Sequence, residues 1–264
     1  MNWIEVIALV VSGTIVGFIN TLAGGGTVIS LSLFLFLGLP IDVANGTNRI
    51  AIVLQNLTSV SMFRRKKVLE FRKASWLALP AVVGSVLGAQ IAVDVNKVVI
   101  ERAFAVILLM MIAFMLVKPS SYLHGNTEKQ GRPISIFQMI VFFLIGIYGG
   151  FIQVGIGYFL LAALVMGAGY DLVKANAVKV WIVLLYSPFA LTIFILNGAV
   201  NWQYGLVHGI GNIMGALVAS QFAVAKGVGF VKWVIIVVIV ITSAQLFGLY
   251  DFNALVGYFI PQRQ

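Results

Sequence analysis

Apolar segments of similar length follow one another along almost the whole chain. Most are near the ~20 residues that a helix needs to span a bilayer. Only 9% of the residues are charged, against about 25% in a soluble domain, so the chain could not cover a water-exposed surface. We therefore predict an all-α polytopic membrane protein with about 8–10 membrane helical segments. The approximate segments are 3–22, 27–39, 49–63, 74–93, 100–117, 134–153, 156–170, 177–197, 201–223 and 228–249.

Two of these segments are short, and each follows a cluster of glycines. Thr27–Leu39 has 13 residues and would give about 20 Å of helix, whereas the hydrocarbon core is about 30 Å thick. Glycine is a poor residue for a helix interior. Unwound backbone persists at membrane depth only where it is buried in protein or lines a wet cavity. The clusters therefore predict glycine-broken short helices inside the protein.

Four matched stretches in the same order indicate an internal duplication. They predict a first transmembrane repeat over 1–117, a connecting loop over 118–133 and a second repeat over 134–264. The matches are "GFIN" (17–20) with "GFIQ" (150–153), "AGGGT" (23–27) with "VGIGY" (154–158), "VANGTN" (43–48) with "KANAVK" (174–179), and "GSVLGAQIA" (84–92) with "GALVASQFA" (215–223).

The charges of the predicted loops indicate that the second repeat is inverted. Loop 64–73, "RRKKVLEFRK", has six Lys or Arg residues, whereas its repeat partner 197–205, "NGAVNWQYG", has no charge. Cytoplasmic loops carry the excess of Lys and Arg, so the two loops are expected on opposite sides. This assignment places 13 of the 17 basic residues on the cytoplasmic side and 4 outside. Both termini are then predicted to lie outside, in a multi-pass protein of the inner or plasma membrane.

The glycine breaks are the predicted binding site. Short, glycine-interrupted segments at corresponding positions of two inverted repeats are typical of the substrate site of a secondary transporter. Helices that start after such breaks direct N–H groups and a positive dipole end at the site, which favours an anion. Close helix packing is the alternative role of each single glycine. The candidate substrate-binding residues are Asn20, Thr21, Gly24, Gly25, Gly26, Thr27, Gln153, Gly155, Gly157 and Tyr158.

Further candidates follow each break, in "ANGTNR" (44–49) and "ANAVK" (175–179). Asn45 and Asn176, which the repeat pairs with each other, either cap the next helix or bind the substrate. The basic residues of these stretches either contact the substrate or extend toward the membrane interface. The residues assigned to the substrate site here are Asn45, Asn48, Arg49, Asn176 and Lys179.

Three titratable residues are candidates for proton coupling. Asp42 and Asp171 occupy similar places before the two "AN" stretches, and His208 is the histidine that falls within an apolar segment. Intramembrane ionisable groups often relay protons. The alternatives are solvated carboxylates at loop ends and a hydrogen-bonded histidine that serves packing.

The repeated breaks, "GFIN…AGGGT" and "GFIQ…GIGY", each followed by an "AN" element, resemble the sulfite exporter TauE/SafE family, also described as toluene-sulfonate uptake permeases. The resemblance covers nearly the whole chain. It implies a transporter that moves small sulfur-containing anions, such as sulfite or organosulfonates, across the cell membrane. An anion channel of the same architecture is the alternative.

The residue types in the apolar segments argue against an enzyme. The chain has no cysteine and two histidines, so neither a metal site nor an acid–base constellation is expected in the spans, and no cofactor is expected. We expect a small anionic substrate and the lipid bilayer as partners, and no nucleic acid. Homodimer formation stays open.

Overall fold

The computed structural model describes residues 1–22, 24–116 and 133–222, without the side chains of 109–116 and 222. All regular secondary structure in these residues is helical, which confirms the all-α prediction. The helices are α1 (Trp3–Leu22), α2 (Thr27–Phe36), α3 (Ile41–Arg65), α4 (Phe71–Asp94), α5 (Lys97–Leu116), α6 (Ile136–Phe151), α7 (Ile156–Ala162), α8 (Leu172–Leu196) and α9 (Trp202–Phe222). A π-helical turn, Ala163–Gly167, continues α7. The predicted segment 228–249 and most of the predicted loop 118–133 lie outside the described residues.

Three of the described helices, α1, α4 and α8, are long and apolar enough to cross a membrane by length and composition. α2, α6, and α7 with its π turn are shorter apolar helices. Large apolar side chains such as Trp76, Leu79 and Val83 are exposed along α4. An outward apolar surface of this kind suits lipid, and the chain is a multi-pass membrane protein.

The third and eighth apolar segments begin earlier than predicted. α3 starts at Ile41 after Pro40, and α8 starts after Asp171, whose side chain accepts two backbone N–H bonds of 3.0 Å at the helix start. Asn45 and Asn176 therefore lie inside helices, and the capping interpretation was wrong. The boundary was misplaced because these polar helical turns are buried by distant parts of the chain, which local hydropathy does not register.

The helix pairs of the two halves correspond. α1 packs most extensively against α9, and its repeat counterpart α6 packs most extensively against α4. α3 also packs against α9, as α8 does against α4. Glycine permits the close approach: a Cβ on Gly17 would overlap the carbonyl of Asn212, and one on Gly150 would overlap the carbonyl of Ser85. Each half is thus packed mainly against the other half.

Two polar contacts bear on the relative direction of the halves. Lys66, just after α3, donates from Nζ to the carbonyl oxygen of Ser220 near the end of α9 (2.6 Å). At the other end of α9, the Asn201 N–H donates to Oγ1 of Thr47 near the start of α3 (2.8 Å). The loops that follow α3 and α8 are repeat partners, and they lie at opposite ends of α9. This arrangement supports the inverted repeat, which stays a prediction.

The structure also changes the comparison of loop charges. Arg49 and Lys179 were counted on opposite sides as loop residues, but their side chains are buried inside the protein, unlike those of the other basic residues that the structure describes. Each side loses one basic residue, so that 12 remain against 3. The asymmetry that predicts the orientation of the chain persists without them.

Candidate functional site

The two glycine breaks contact each other in the interior. One joins α1 to α2, and the other joins α6 to α7. A Cβ added to Gly24 would overlap the Cα of Gly157, and a Cβ added to Gly157 would overlap the Cα of Gly24. Gly24 also has a φ of +92°, in the left-handed region that glycine adopts without a Cβ penalty. The costly glycines are therefore required where one backbone touches the other.

A small cavity lies beside this crossing. The space that the centre of a water molecule can occupy there is about 20 Å³, enough for a water molecule and too little for a sulfur oxyanion. Six residues predicted for the site line it, together with five residues that the sequence did not single out. The predicted ones are Asn20, Gly24, Thr27, Gln153, Gly157 and Lys179, and the others are Ile52, Gln55, Asn56, Ile156 and Val183.

One amide side chain at the cavity donates a hydrogen bond in each half, at corresponding positions. Asn20 donates from Nδ2 to Oε1 of Gln55 (3.3 Å), and Gln153 donates from Nε2 to the hydroxyl oxygen of Tyr186 (3.3 Å). Gln153 has a φ of +65°, and its Oε1 is buried without a partner. A non-glycine residue in the left-handed region and an unsatisfied buried amide are both costly, and both are enriched at functional sites.

Lys179 brings a positive charge to the cavity. Its side chain is buried, and Nζ lies 3.0 Å from the Asn20 carbonyl oxygen, 3.3 Å from that of Thr21 and 2.7 Å from Oδ1 of Asn176. Three oxygen acceptors call for three N–H donors, which the ammonium form provides. The two carbonyls belong to the last turn of α1, where a cation is favoured by the helix dipole.

Arg49 makes a similar contact at a helix end of the other half, one residue beyond Asn48, which the repeat pairs with Lys179. Its Nη1 donates to the Gly149 carbonyl (3.2 Å) and its Nη2 to the Gly150 carbonyl (2.5 Å), at the end of α6. Nη2 also donates to Oδ1 of Asn45 (3.4 Å), and the guanidinium lies 4.6 Å from the centre of the Phe194 ring. Arg49 is fully buried but does not line the cavity.

Several predicted residues of the breaks lie beside the cavity without lining it. Oγ1 of Thr21 lies 3.0 Å from Oγ of Ser59. A Cβ on Gly25 would crowd the ring of Tyr158, so these two residues pack together. Gly155 precedes α7 with a φ of +67°. Their positions indicate that they shape the two breaks.

Three of the remaining predicted residues are also buried near the breaks. Asn45 donates from Nδ2 to the Phe151 carbonyl at the end of α6 (2.6 Å). Asn48 is buried, and neither atom of its amide has a partner. Gly26 donates its backbone N–H to Oδ1 of Asn20 (2.7 Å), which fixes the start of α2.

The carboxylate candidates for proton coupling lie at helix starts. Asp42 Oδ2 forms an ion pair of 3.1 Å with Nζ of Lys97. Asp171 caps α8. Neither lines the cavity, and proton coupling through them stays a prediction.

His208 is buried between α1, α2 and α9. Nδ1 lies 3.0 Å from the Leu9 carbonyl oxygen, and Nε2 lies 2.9 Å from Oγ of Ser30. A carbonyl only accepts, so Nδ1 carries the proton, and Nε2 of the neutral ring accepts from the serine. His208 does not line the cavity.

Gln55 and Asn56 are the polar lining residues that sequence reasoning missed. They are adjacent in "LQNL", inside an apolar segment. A polar side chain within a membrane helix is a functional candidate because burying it is costly. They lie in mid-helix, away from any glycine break along the sequence, so the breaks do not point to them.

The chain is similar along most of its length to proteins named as probable membrane transporters. The family model of the sulfite exporter TauE/SafE matches residues 9–246. A probable membrane transporter protein, ORF9, of Sinorhizobium sp is 29% identical over 90% of both chains. The probable membrane transporter protein YfcA of Escherichia coli K12 is 28% identical over 89% of this chain and 86% of its own. No solved structure matches significantly.

Proposed function

The chain belongs to the sulfite exporter TauE/SafE family, and we propose that it is a secondary transporter that carries small sulfur-containing anions across the membrane. The proposal rests on the Lys179 ammonium, which is buried at the central cavity with neutral oxygens as its partners. Burying a cation without a counter-ion is expensive. An anionic substrate at the cavity would supply the missing charge.

The distribution of acidic residues supports an anion over a cation. None of the acidic side chains in the described residues is buried, and all lie near helix ends. The apolar stretches 109–116 and 223–249, whose side chains are not described, contain no Asp or Glu. The described acidic residues are Glu5, Asp42, Glu70, Asp94, Glu101 and Asp171.

Substrate binding would be coupled to movement of the first glycine break. The cavity is too small for the anion, so the elements around it have to separate. An anion that binds Nζ of Lys179 would compete with the Asn20 and Thr21 carbonyls, which end α1. Releasing these carbonyls would loosen the junction between α1 and α2. This link between ligand and break is what alternating access around a fixed site requires.

A flux assay tests the proposal directly. We expect purified protein in liposomes to transport labelled sulfite or an organosulfonate with saturation. Lys179→Gln should weaken apparent affinity by about 10- to 100-fold, since a hydrogen bond to a charged group contributes about 1.5–3 kcal/mol. The matched control is Lys174→Gln on the same helix, whose side chain is 39% exposed and pairs with Glu70 at 3.8 Å.

Two outcomes would contradict the proposal. Equal affinity of the Lys179→Gln and Lys174→Gln variants would remove Lys179 from the substrate site. Flux that does not saturate and reaches the rate of a pore would favour the anion channel. The small size of the cavity favours the transporter, because a conducting pore needs a path wide enough for the anion.

A further inference from the structure

We infer that the cavity takes a monovalent anion, an organosulfonate or hydrogensulfite, and rejects divalent anions such as sulfate. This inference rests on the proposed function and adds the charge of the substrate to it. It follows from the number of positive charges that the cavity offers.

The described residues that line the cavity carry one formal charge, on Lys179. The other lining side chains are amides, a hydroxyl, apolar groups and glycines. The start of α2 at Thr27 brings a positive dipole end, and the carbonyls of Asn20 and Thr21 bring the negative end of α1. These two partial charges are opposite in sign, and each is about half an elementary charge. Together they therefore add no net charge to the site.

Arg49 would have to leave the end of α6 to supply a second charge at the cavity. Both of its terminal nitrogens already donate to the carbonyls that end α6, and its guanidinium lies against the Phe194 ring. It is buried outside the cavity lining. Recruiting it would leave the Gly149 and Gly150 carbonyls without their donor, which is costly inside a membrane protein.

A monovalent anion neutralises this site, and a divalent anion does not. With a sulfonate bound, the Lys179 ammonium and the anion form a buried ion pair. The sulfonate oxygens that do not contact the ammonium meet amide donors such as Asn20. Gln153 adds no free donor as the cavity stands, since its Nε2 donates to the Tyr186 hydroxyl oxygen and its unpartnered Oε1 can only accept. With sulfate bound, one negative charge would stay uncompensated, and burying such a charge is expensive.

Isothermal titration of the purified wild-type protein tests the inference. Methanesulfonate and sulfate have similar tetrahedral shapes and differ by one charge over the neutral pH range. We expect methanesulfonate to bind at least about 100-fold more tightly than sulfate, as uncompensated buried charge predicts. The measurement is made once in sodium buffer and once in choline buffer. Lys174→Gln, which removes a partly exposed lysine, serves as the control variant and should show the same preference as wild type.

Each result has a definite consequence. Sulfate that binds as tightly as methanesulfonate in either buffer would overturn the inference, and if this happens in sodium alone, a co-bound cation supplies the second charge. In both cases an anion still binds, so the proposed function survives. If neither anion binds and sulfite is not transported, the proposed function fails and the inference fails with it.

Discussion

The two glycine breaks have a similar arrangement and differ in the basic side chain that binds the end of the preceding helix. The C-terminal carbonyls of α1 and of α6 are each bound by a basic side chain from the long helix of the other half, Lys179 for α1 and Arg49 for α6. An asparagine on the same helical face accepts from each cation, Asn176 and Asn45 respectively. The difference is that Lys179 reaches the cavity, whereas Arg49 does not.

We interpret this difference as a division of tasks between the two breaks. Arg49 presents a planar fork that holds two adjacent carbonyls, and its flat face packs on Phe194. Lys179 is a compact point charge on a flexible stem, beside a space that a ligand could enter. The first is suited to fix a helix end, and the second to exchange a backbone partner for a substrate.

The largest expected effect is an all-or-none difference between the two halves. If the repeats are inverted, a cysteine at Arg65 and one at Gln203, both exposed, should be labelled by an impermeant reagent from opposite faces of the membrane. The native chain has no cysteine, so the unmodified protein is the blank. Labelling of both positions from the same face would refute the inverted arrangement.

The next largest effect concerns the contact between the breaks. Gly24→Ala should lower the free energy of unfolding by roughly 2–5 kcal/mol, since it adds left-handed strain and overlap with Gly157. Gly38→Ala is the matched control, because Gly38 has a φ of +84° and open space around it. It should cost about 1–2 kcal/mol. Thermal melting and flux at equal membrane levels measure both.

Gly157→Ala separates crowding from strain. Gly157 has no positive φ, so its substitution adds the overlap with Gly24 alone. We expect a loss of about 1–3 kcal/mol for the overlap. Equal stability of Gly157→Ala and wild type would show that the two backbones do not meet as described.

Arg49→Gln sharpens the comparison of the two cations. Removing charged donors from the end of α6 should cost about 3–6 kcal/mol of stability, from two lost bonds to a charged group. The affinity of the folded protein for the substrate should stay within about twofold of wild type, because Arg49 lies outside the cavity lining. A loss of affinity like that of Lys179→Gln would assign both cations to the substrate.

The two asparagines should show the same division with smaller effects. Asn45→Ala leaves the Phe151 carbonyl without its donor, so we expect a lower melting temperature, from about 1–3 kcal/mol, and unchanged affinity. Asn176→Ala removes an anchor of Lys179 Nζ and should weaken affinity by about three- to tenfold. Measuring the melting temperature and the substrate affinity on the same samples distinguishes the two variants. Identical profiles of the two variants would contradict the division of tasks.

Much of the architecture was predictable because it depends on local properties of the sequence. Apolar segments of spanning length determined the membrane class, and the glycine clusters marked the two breaks. The matched stretches aligned Asn45 with Asn176, which the structure places at equivalent positions on α3 and α8. Hydropathy failed at the starts of these helices, because their polar turns are buried against distant residues.

What the sequence by itself determined is therefore the class of protein, the positions of the glycine breaks and the family. Only the tertiary structure decided which candidates meet at the cavity, added Gln55 and Asn56 to them, and separated Lys179 from Arg49. The physical reason is the distance along the chain. Lys179 finds the carbonyl of Asn20 across 159 residues, and the packing of α1, α3 and α8 around the glycine crossing, rather than any local pattern, brings the two together.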